Sequence, residues 1–394
     1  MFMDRNQILE LMKEIYTAAE AAEYLNISTQ RLHQLVQDGS LIPIKSNKSV
    51  TLFYKPDLDN RKISNFSNSK INDNNNHFDI NVPYVRDAIL YFTIQQYFNC
   101  NDKRTERFIQ DLTINFGFDY RNGLKNNIPF LANHLHVKDA DFYQVYGKVK
   151  NSFSTLTDDV ILLKKGGTLY PKQLADTVDA PPYLFLKGDV HLLEEKSISV
   201  VGSRIASTSS LENTDRLVRS LCRRNLVINA GLAKGIDTAS HTAALKYGGK
   251  TIAVIGTPIN KYYPKENKEL QIEIENNGLV VSQFPPCNEV FKWNFPTRNA
   301  TMSGISLATV IMHAGETSGA LKQADYALKQ GRDVLIPKSA VMNESLKWPR
   351  NYVDKGAKVF SNLKEILMIL NHNQALEDWF DSTSLEEVSD VEMD

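Results

Sequence analysis

The stretch SISVVGSRIAS, Ser197–Ser207, decides how the rest of the chain is read. Small and apolar residues run to Val201 and then break at Gly202 into Ser203 and Arg204. That is the pattern of a buried parallel strand ending at a binding loop. A dinucleotide loop at this place needs G-x-G-x-x-G, so that backbone can approach a pyrophosphate, and here Gly202 stands alone. No G-x-x-x-x-G-K-[ST] occurs either, which excludes a Walker-type ATPase, and no cofactor is expected. What remains is a turn of backbone N–H groups, the Ser203 and Ser207 hydroxyls and the Arg204 fork, groups that hold a phosphate. The plainer alternative for Arg204 is an exposed salt-bridge partner.

Around this stretch, short apolar runs alternate with amphipathic ones. SISVV, NLVINA, TIAVIG, GLVVSQF, LATVIMH and DVLIP read as strands; SSLENTDRLVRSLCRR and KGIDTASHTAALKYG read as helices. Strands alternating with helices predict an α/β domain over residues 156–365, a parallel sheet covered on both faces. Ligands of such sheets sit at the carboxyl ends of the strands. Residues 82–155 carry helical patterning, and 64–81, rich in Asn and Ser, read as a flexible linker.

Further motifs fall at the predicted strand ends. NAGLAKGIDTASH places Gly231 and Gly235 around Lys234, so this lysine would face the same crevice as Arg204. Asp237 is either a favourable acid at a helix N-terminus or a carboxylate for acid–base work, and His241 either a packed, hydrogen-bonded histidine or its partner. No nucleophile or metal ligand stands beside them, and a non-catalytic protein is expected. IGTPINKYYPKENKEL adds Lys261 and Lys265, and FKWNFPTRNATMSGIS adds Lys292, Trp293, Phe295, Arg298 and Asn299. Cations interleaved with aromatics suit an unpaired nucleic-acid strand, although Trp293 and Phe295 could equally be core residues. HAGETSGALKQ brings Ser318 and Gly319 to another strand-to-helix turn, a further anion site.

The N-terminal module is residues 1–63. Ala18, Ala21, Ala22 and Leu25 form one apolar helix face, and Ser28 is a good N-cap for a second helix that turns Leu32, Leu35 and Val36 inward. Gln30, Arg31, His33, Gln34 and Gln37 are left facing out. LIPI…VTLFY then makes a hairpin with Lys45 and Lys48 near its tip. Helix, turn, helix and wing suit duplex DNA, the second helix in the major groove and the wing lysines on phosphates. A helix-turn-helix used for protein contacts is the alternative.

The formal net charge of −1 over 394 residues hides an asymmetry: the last twenty residues hold eight acids and no Lys or Arg, which leaves about +7 on the remainder. That balance permits an anionic partner. Residues 366–394 read as an acidic tail, solvated, acting as a docking peptide through Trp379-Phe380, or competing with nucleic acid for basic surface. No apolar run reaches the ~20 residues of a membrane span, and the N-terminus lacks the apolar core of a signal peptide. Cys100, Cys222 and Cys287 form no C-x-x-C pair, so neither a zinc site nor a disulfide framework is expected, and a reducing cytoplasm fits.

Taken together, YPKQL…APPYLFLKGD, GSRIAS, GLAKGIDTASHTAAL, GGKTIAVIGTPINKYYPKEN, SQFPPCNE, FPTRNATMSGIS and the SGA turn resemble the DNA-processing protein A (DprA, or Smf) family from about Tyr170 to Phe360. The resemblance implies an extended Rossmann-like fold that binds single-stranded DNA in a basic pocket, loads a RecA-type recombinase and forms a homodimer. It implies that Arg204, Lys265 and Lys292 are pocket cations, and that Gly202, Ser203, Lys234, Arg298 and Asn299 shape the crevice. The chain departs from the family with Ala300 in place of a second arginine, Gln283 and His313 in place of Glu, and Cys287 in place of Gly. Residues 16–62 resemble instead the winged helix-turn-helix of the MerR and excisionase families, carried here at the N-terminal end. More distantly, the large domain is similar to the lysine-decarboxylase-like LOG phosphoribohydrolases. Those carry P-G-G-x-G-T-x-x-E where this chain has MHAGETSGALKQ, with Lys322 and Gln323 near the place of the missing carboxylate. Hydrolysis of a nucleotide is disfavoured on that ground. A nucleotide sensor whose crevice controls DNA binding or a defence response is the other reading of the same fold.

Overall fold

The computed structural model describes residues 15–25, 43–46, 51–55, 78–80, 82–119, 123–135 and 138–371, with single positions 29, 32, 33, 36 and 58. The chain divides into two units, residues 1–75 with 166–169 and residues 76–165 with 170–394.

In the first unit, strand β1 (Ile15–Thr17) leads into helix α1 (Ala18–Tyr24). Thr17 caps that helix with a reciprocal box: Glu20 N–H donates to the Thr17 hydroxyl, and the Glu20 carboxylate accepts from Thr17 N–H at 2.8 Å. β2 (Lys45–Ser46) pairs antiparallel with β3 (Thr51–Tyr54), and β1 adds to the free side of β3, making an antiparallel sheet. Ala21, Ala22, Leu25, Leu32, Phe53 and Leu58 bury its small core. His33 and Lys45 are exposed. Ser28, Gln30, Arg31, Gln34 and Lys48 lie outside the described residues, as do residues 64–77 of the proposed linker and 372–394 of the acidic tail.

The second unit opens with four helices, α2 (Pro83–Tyr97), α3 (Asp102–Phe116), α4 (Gly123–Leu135) and α5 (Asp139–Phe153). Pro83 opens α2, Asn101 caps α3 by accepting from Arg104 N–H, and Gly117 ends α3 at a left-handed φ of 70°. β4 (Val160–Lys164) and β5 (Tyr183–Gly188) follow. The α/β portion is β6 (Ser197–Gly202), α6 (Thr208–Cys222), β7 (Val227–Ala230), α7 (Ile236–Lys246), β8 (Thr251–Ile255), α8 (Lys268–Asn277) and β9 (Leu279–Ser282). It continues through α9 (Asn294–Ile305), β10 (Ala308–His313), α10 (Gly319–Lys329), β11 (Asp333–Pro337), α11 (Trp348–Asp354), β12 (Lys358–Phe360) and α12 (Leu363–Asn371).

All of these strands join one sheet in the order β12-β11-β10-β6-β7-β8-β9-β5-β4. β6 to β12 run parallel, while β5 and β4 are added antiparallel beyond β9. β6, β7, β8 and β9 are buried almost throughout, which is why their sequences read as continuous apolar runs rather than alternating ones. One face packs Ile198, Val200, Ile228 and Val310 against Leu217 and Leu221 of α6 and Ile366 of α12. On the other, Val85, Ile89 and Phe92 of α2 and Val149 and Phe153 of α5 meet Tyr183, Phe185, Ala253 and Val280. The helical region therefore shares its core with the sheet. Among the described residues no helix is long and apolar enough to cross a membrane, and the three cysteines are free.

Candidate nucleic-acid interface

The strand order reverses between β6 and β10: the chain winds from β6 through β7 and β8 to β9 on one side, and from β10 to β12 on the other. A cavity of about 410 Å³, counted with its open mouth, lies beyond the ends of β6, β7 and β8. It is lined by Arg204, Gly231 to Lys234, Gly256, Tyr263, Pro264, Phe295 and Arg298.

Its floor is a buried arginine with a buried carboxylate in its electrostatic reach. Arg298 is 5% exposed on α9, and its Nη1 donates to the Val254 carbonyl at the end of β8. Asp237, equally buried at the start of α7, accepts from the backbone N–H groups of Gly231 at 3.1 Å and Ala233 at 3.4 Å. Burial pushes the Arg298 guanidinium down to about 10, against the attraction of Asp237, which leaves it cationic at neutral pH. Burial likewise pushes the Asp237 carboxyl up, opposed by Arg298 and by backbone N–H groups. Gly231 is glycine because a Cβ there would meet the Arg298 guanidinium. The carboxylate that the sequence left open between two roles thus organises the loop and faces the buried arginine.

Arg204 stands above this floor, exposed, with its guanidinium 5.8 Å from the centroid of Phe295, a cation–π distance. Among the described residues it has no carboxylate partner. Tyr263 packs on the same ring at 5.2 Å, and Gly256 lets Phe295 lie against the end of β8. The loop that carries Arg204 is pinned from both sides. Ser203 N–H donates to the His313 carbonyl at 2.7 Å, Ile236 N–H donates to the Ser203 carbonyl, and Gly235 (φ 79°) runs against the Ser203–Arg204 backbone where no Cβ fits. Gly202 sits against Ile236 and the His313 carbonyl.

Of the residues expected at the site, Arg204, Gly231, Lys234 and Arg298 line the cavity, and Gly202, Ser203 and Gly235 hold its loop. Lys265 is exposed beside the lining residue Pro264, and Lys292 is exposed three residues before Phe295. Ser207 and Ser318 are helix N-caps whose hydroxyls accept from Ser210 and Ala320 N–H. Asn299 is buried and donates to the Gly319 carbonyl at 3.3 Å, tying α9 to the start of α10. Glu266, which the sequence reading passed over inside YPKEN, is salt-bridged to Lys234 at 2.6 Å.

His241 is fully buried, with Nδ1 2.7 Å from the Thr251 hydroxyl, which donates to the Ile228 carbonyl. Burial pushes the imidazole down to about 3, so it is a neutral packing group. Gln323, near the place of the hydrolase carboxylate, is buried, and Glu316 holds the backbone N–H groups of Lys347 and Trp348. Among the described residues no cluster of His, Cys, Asp or Glu could hold a metal ion.

The chain is similar to known proteins in sequence and fold. The DNA processing protein DprA of Streptococcus pneumoniae is 36% identical over 245 residues, which are 62% of this chain and 83% of that protein. The DNA processing protein DprA of Bacillus subtilis is 35% identical over 198 residues, 50% of this chain and 67% of its own length. An X-ray structure of the Streptococcus pneumoniae protein superposes with a TM-score of 0.57 and 30% identity, over 71% of this chain and 97% of that one. Residues 162–371 match the family model of DNA recombination-mediator protein A, and the chain belongs to that family.

Proposed function

We propose that the crevice at the ends of β6, β7 and β8 binds single-stranded DNA. The observation that carries this reading is the convergence of Arg204 and Lys234 on one cavity floored by the buried Arg298 and walled by Phe295 and Tyr263. Cations take the phosphates, and aromatic walls suit bases whose faces are free, as they are in a single strand and not in a duplex. Arg204, Lys265 and Lys292 are the phosphate contacts, with Lys234 joining them when it leaves Glu266. Gly202, Ser203, Gly231, Gly235, Asp237, Arg298 and Asn299 hold the loops in place. No catalytic step is assigned.

The strand so held is handed to a RecA-type recombinase, in keeping with the description of the family as recombination mediators. The N-terminal unit reads duplex DNA as a winged helix-turn-helix, with Ser28, Gln30, Arg31, His33 and Gln34 toward bases and Lys45 and Lys48 toward phosphates. This part rests on sequence resemblance and on the exposure of His33 and Lys45. A homodimer is the form in which the protein acts, again by resemblance, and a reducing cytoplasm fits its three free cysteines.

The test is fluorescence anisotropy of a ~30-nucleotide single strand and its duplex over a salt series, for the full chain and for Arg204→Ala/Lys265→Ala. The wild type should bind the single strand with a steep salt dependence, and the double variant should lose about two from the slope. Unchanged affinity in the double variant rejects the crevice as the site. A thermal shift with mononucleotides, and no strand binding, supports the sensor reading instead.

A further inference from the structure

Outside the cavity, just before α9, two large rings are held face to face in water. Phe291 and Trp293 stack with centroids 4.2 Å apart and planes 11° from parallel, yet they are 38% and 63% exposed. Both belong to a turn that is fixed from below. Asn294 is 1% exposed, and its N–H donates to the Phe291 carbonyl. The Trp293 carbonyl accepts from Thr297, through N–H at 3.2 Å and Oγ1 at 2.8 Å. Lys292 lies between the two rings in sequence and is exposed. Two residues beyond Trp293, Phe295 lines the cavity beside Arg204.

A stacked, preorganised ring pair whose two residues flank an exposed cation in the sequence has the parts of a base platform. The turn is already ordered, so a ligand that lands on it does not bear the cost of arranging the rings. We infer that Trp293, backed by Phe291, stacks one nucleobase of a single strand that leaves the cavity across Lys292. This subsite deepens the single-strand reading above and rests on it. It adds a contact to a base where the cations contact phosphates, so it adds affinity that salt does not remove.

The experiment compares the full chain with Trp293→Ala and Trp293→Phe, using oligothymidine and an all-abasic strand of equal length and charge. Trp348 is 1% exposed and serves as an internal reference for the fold, alongside the melting temperature. Oligothymidine should quench a part of the wild-type tryptophan emission that Trp293→Ala lacks. Trp293→Ala should bind oligothymidine about ten-fold more weakly with an unchanged salt slope, Trp293→Phe should retain most of the affinity, and neither variant should alter binding of the abasic strand. Equal oligothymidine affinity in Trp293→Ala and wild type overturns the subsite and leaves the ring pair as a surface for a protein. Equal losses on both strands overturn it too, since a base contact cannot weaken a strand without bases. If the wild type binds neither strand, the reading beneath it fails first, and the two failures stay distinct.

Discussion

Lys234 Nζ lies 2.6 Å from Glu266 Oε1, so one of the cations lining the cavity is already held by a carboxylate from the opposite sequence motif. Both side chains are more than half exposed. The hydrogen bond from Lys234 keeps the Glu266 carboxyl below its ordinary range, so the pair is charged at neutral pH. An exposed pair of this kind contributes little to stability and is exchanged readily for another anion. Arg204, with an aromatic ring as its neighbour and no carboxylate partner among the described residues, is open from the start. The two cations differ in availability although the sequence presents them alike.

Glu266→Gln should therefore strengthen single-strand binding, because it frees Lys234 and removes a negative charge from the rim. The expected gain is about two- to five-fold at low salt, fading as salt screens the exposed charges. Anisotropy titrations at two salt concentrations check this. A variant that binds more weakly than wild type would mean that the pair shapes the site and does not mask it.

Gly231→Ala should destabilise the fold and disturb the cavity together. The added methyl meets the Arg298 guanidinium, the far end of a side chain that would elsewhere swing aside. Here it is buried and bonded to the Val254 carbonyl, with Asp237 in its electrostatic reach, so movement breaks a buried hydrogen bond. The cost should be about 1–3 kcal/mol by the usual measure of overpacking. Thermal or urea denaturation gives the number, and wild-type stability would show that the floor can yield.

The strands between Ser197 and Pro337 were legible because each is buried on both faces and bounded by turn residues. The same punctuation found Arg204 and Lys234. Asn294–Ile305 was harder: Asn, Thr, Arg and Ser give it no apolar face, yet most of the helix is buried. Several of its polar groups bond to distant partners that no local pattern announces. Arg298 bonds to Val254, Asn299 to Gly319, and Thr301 to Gln283. Ser207 and Asn299 are hard to assign for a related reason, since a hydroxyl or amide that holds a helix end and one that binds phosphate are the same residue in the sequence. YLFLKG reads as apolar lead-in, and its antiparallel place beside β9 depends on a partner about ninety residues away.

Asp102 supplies a pH prediction away from the site. At the start of α3 it accepts from Gln95 Nε2 at 2.6 Å, and burial, with the nearby Glu106 charge, pushes its carboxyl up to about 6. The unfolded chain titrates this group near 3.9. The folded state thus favours the protonated acid, and the stability this contributes is full below about pH 4 and lost as pH rises through about 6. Asp102→Asn, which keeps an acceptor for Gln95 and cannot ionise, should be more stable than wild type at pH 7.5 by about 1–2 kcal/mol, with the difference closing near pH 4. Melting temperatures of both proteins across that range give the sign directly.

Arg204→Lys separates charge from shape at the residue on which the single-strand reading turns. Lysine keeps the positive charge and the phosphate attraction, so the salt slope should match wild type. It lacks the planar fork that lies 5.8 Å from the Phe295 centroid and that suits two phosphate oxygens at once. Affinity should therefore drop several-fold with the slope unchanged. Arg204→Ala should lower affinity further and reduce the slope by about one. If lysine restores full affinity, Arg204 acts as a point charge, and the ring beside it is packing. If both variants lose the same affinity and the same slope, the loop has lost its position, and the pinning of Ser203 by His313 and Ile236 governs the site more than the cation it carries.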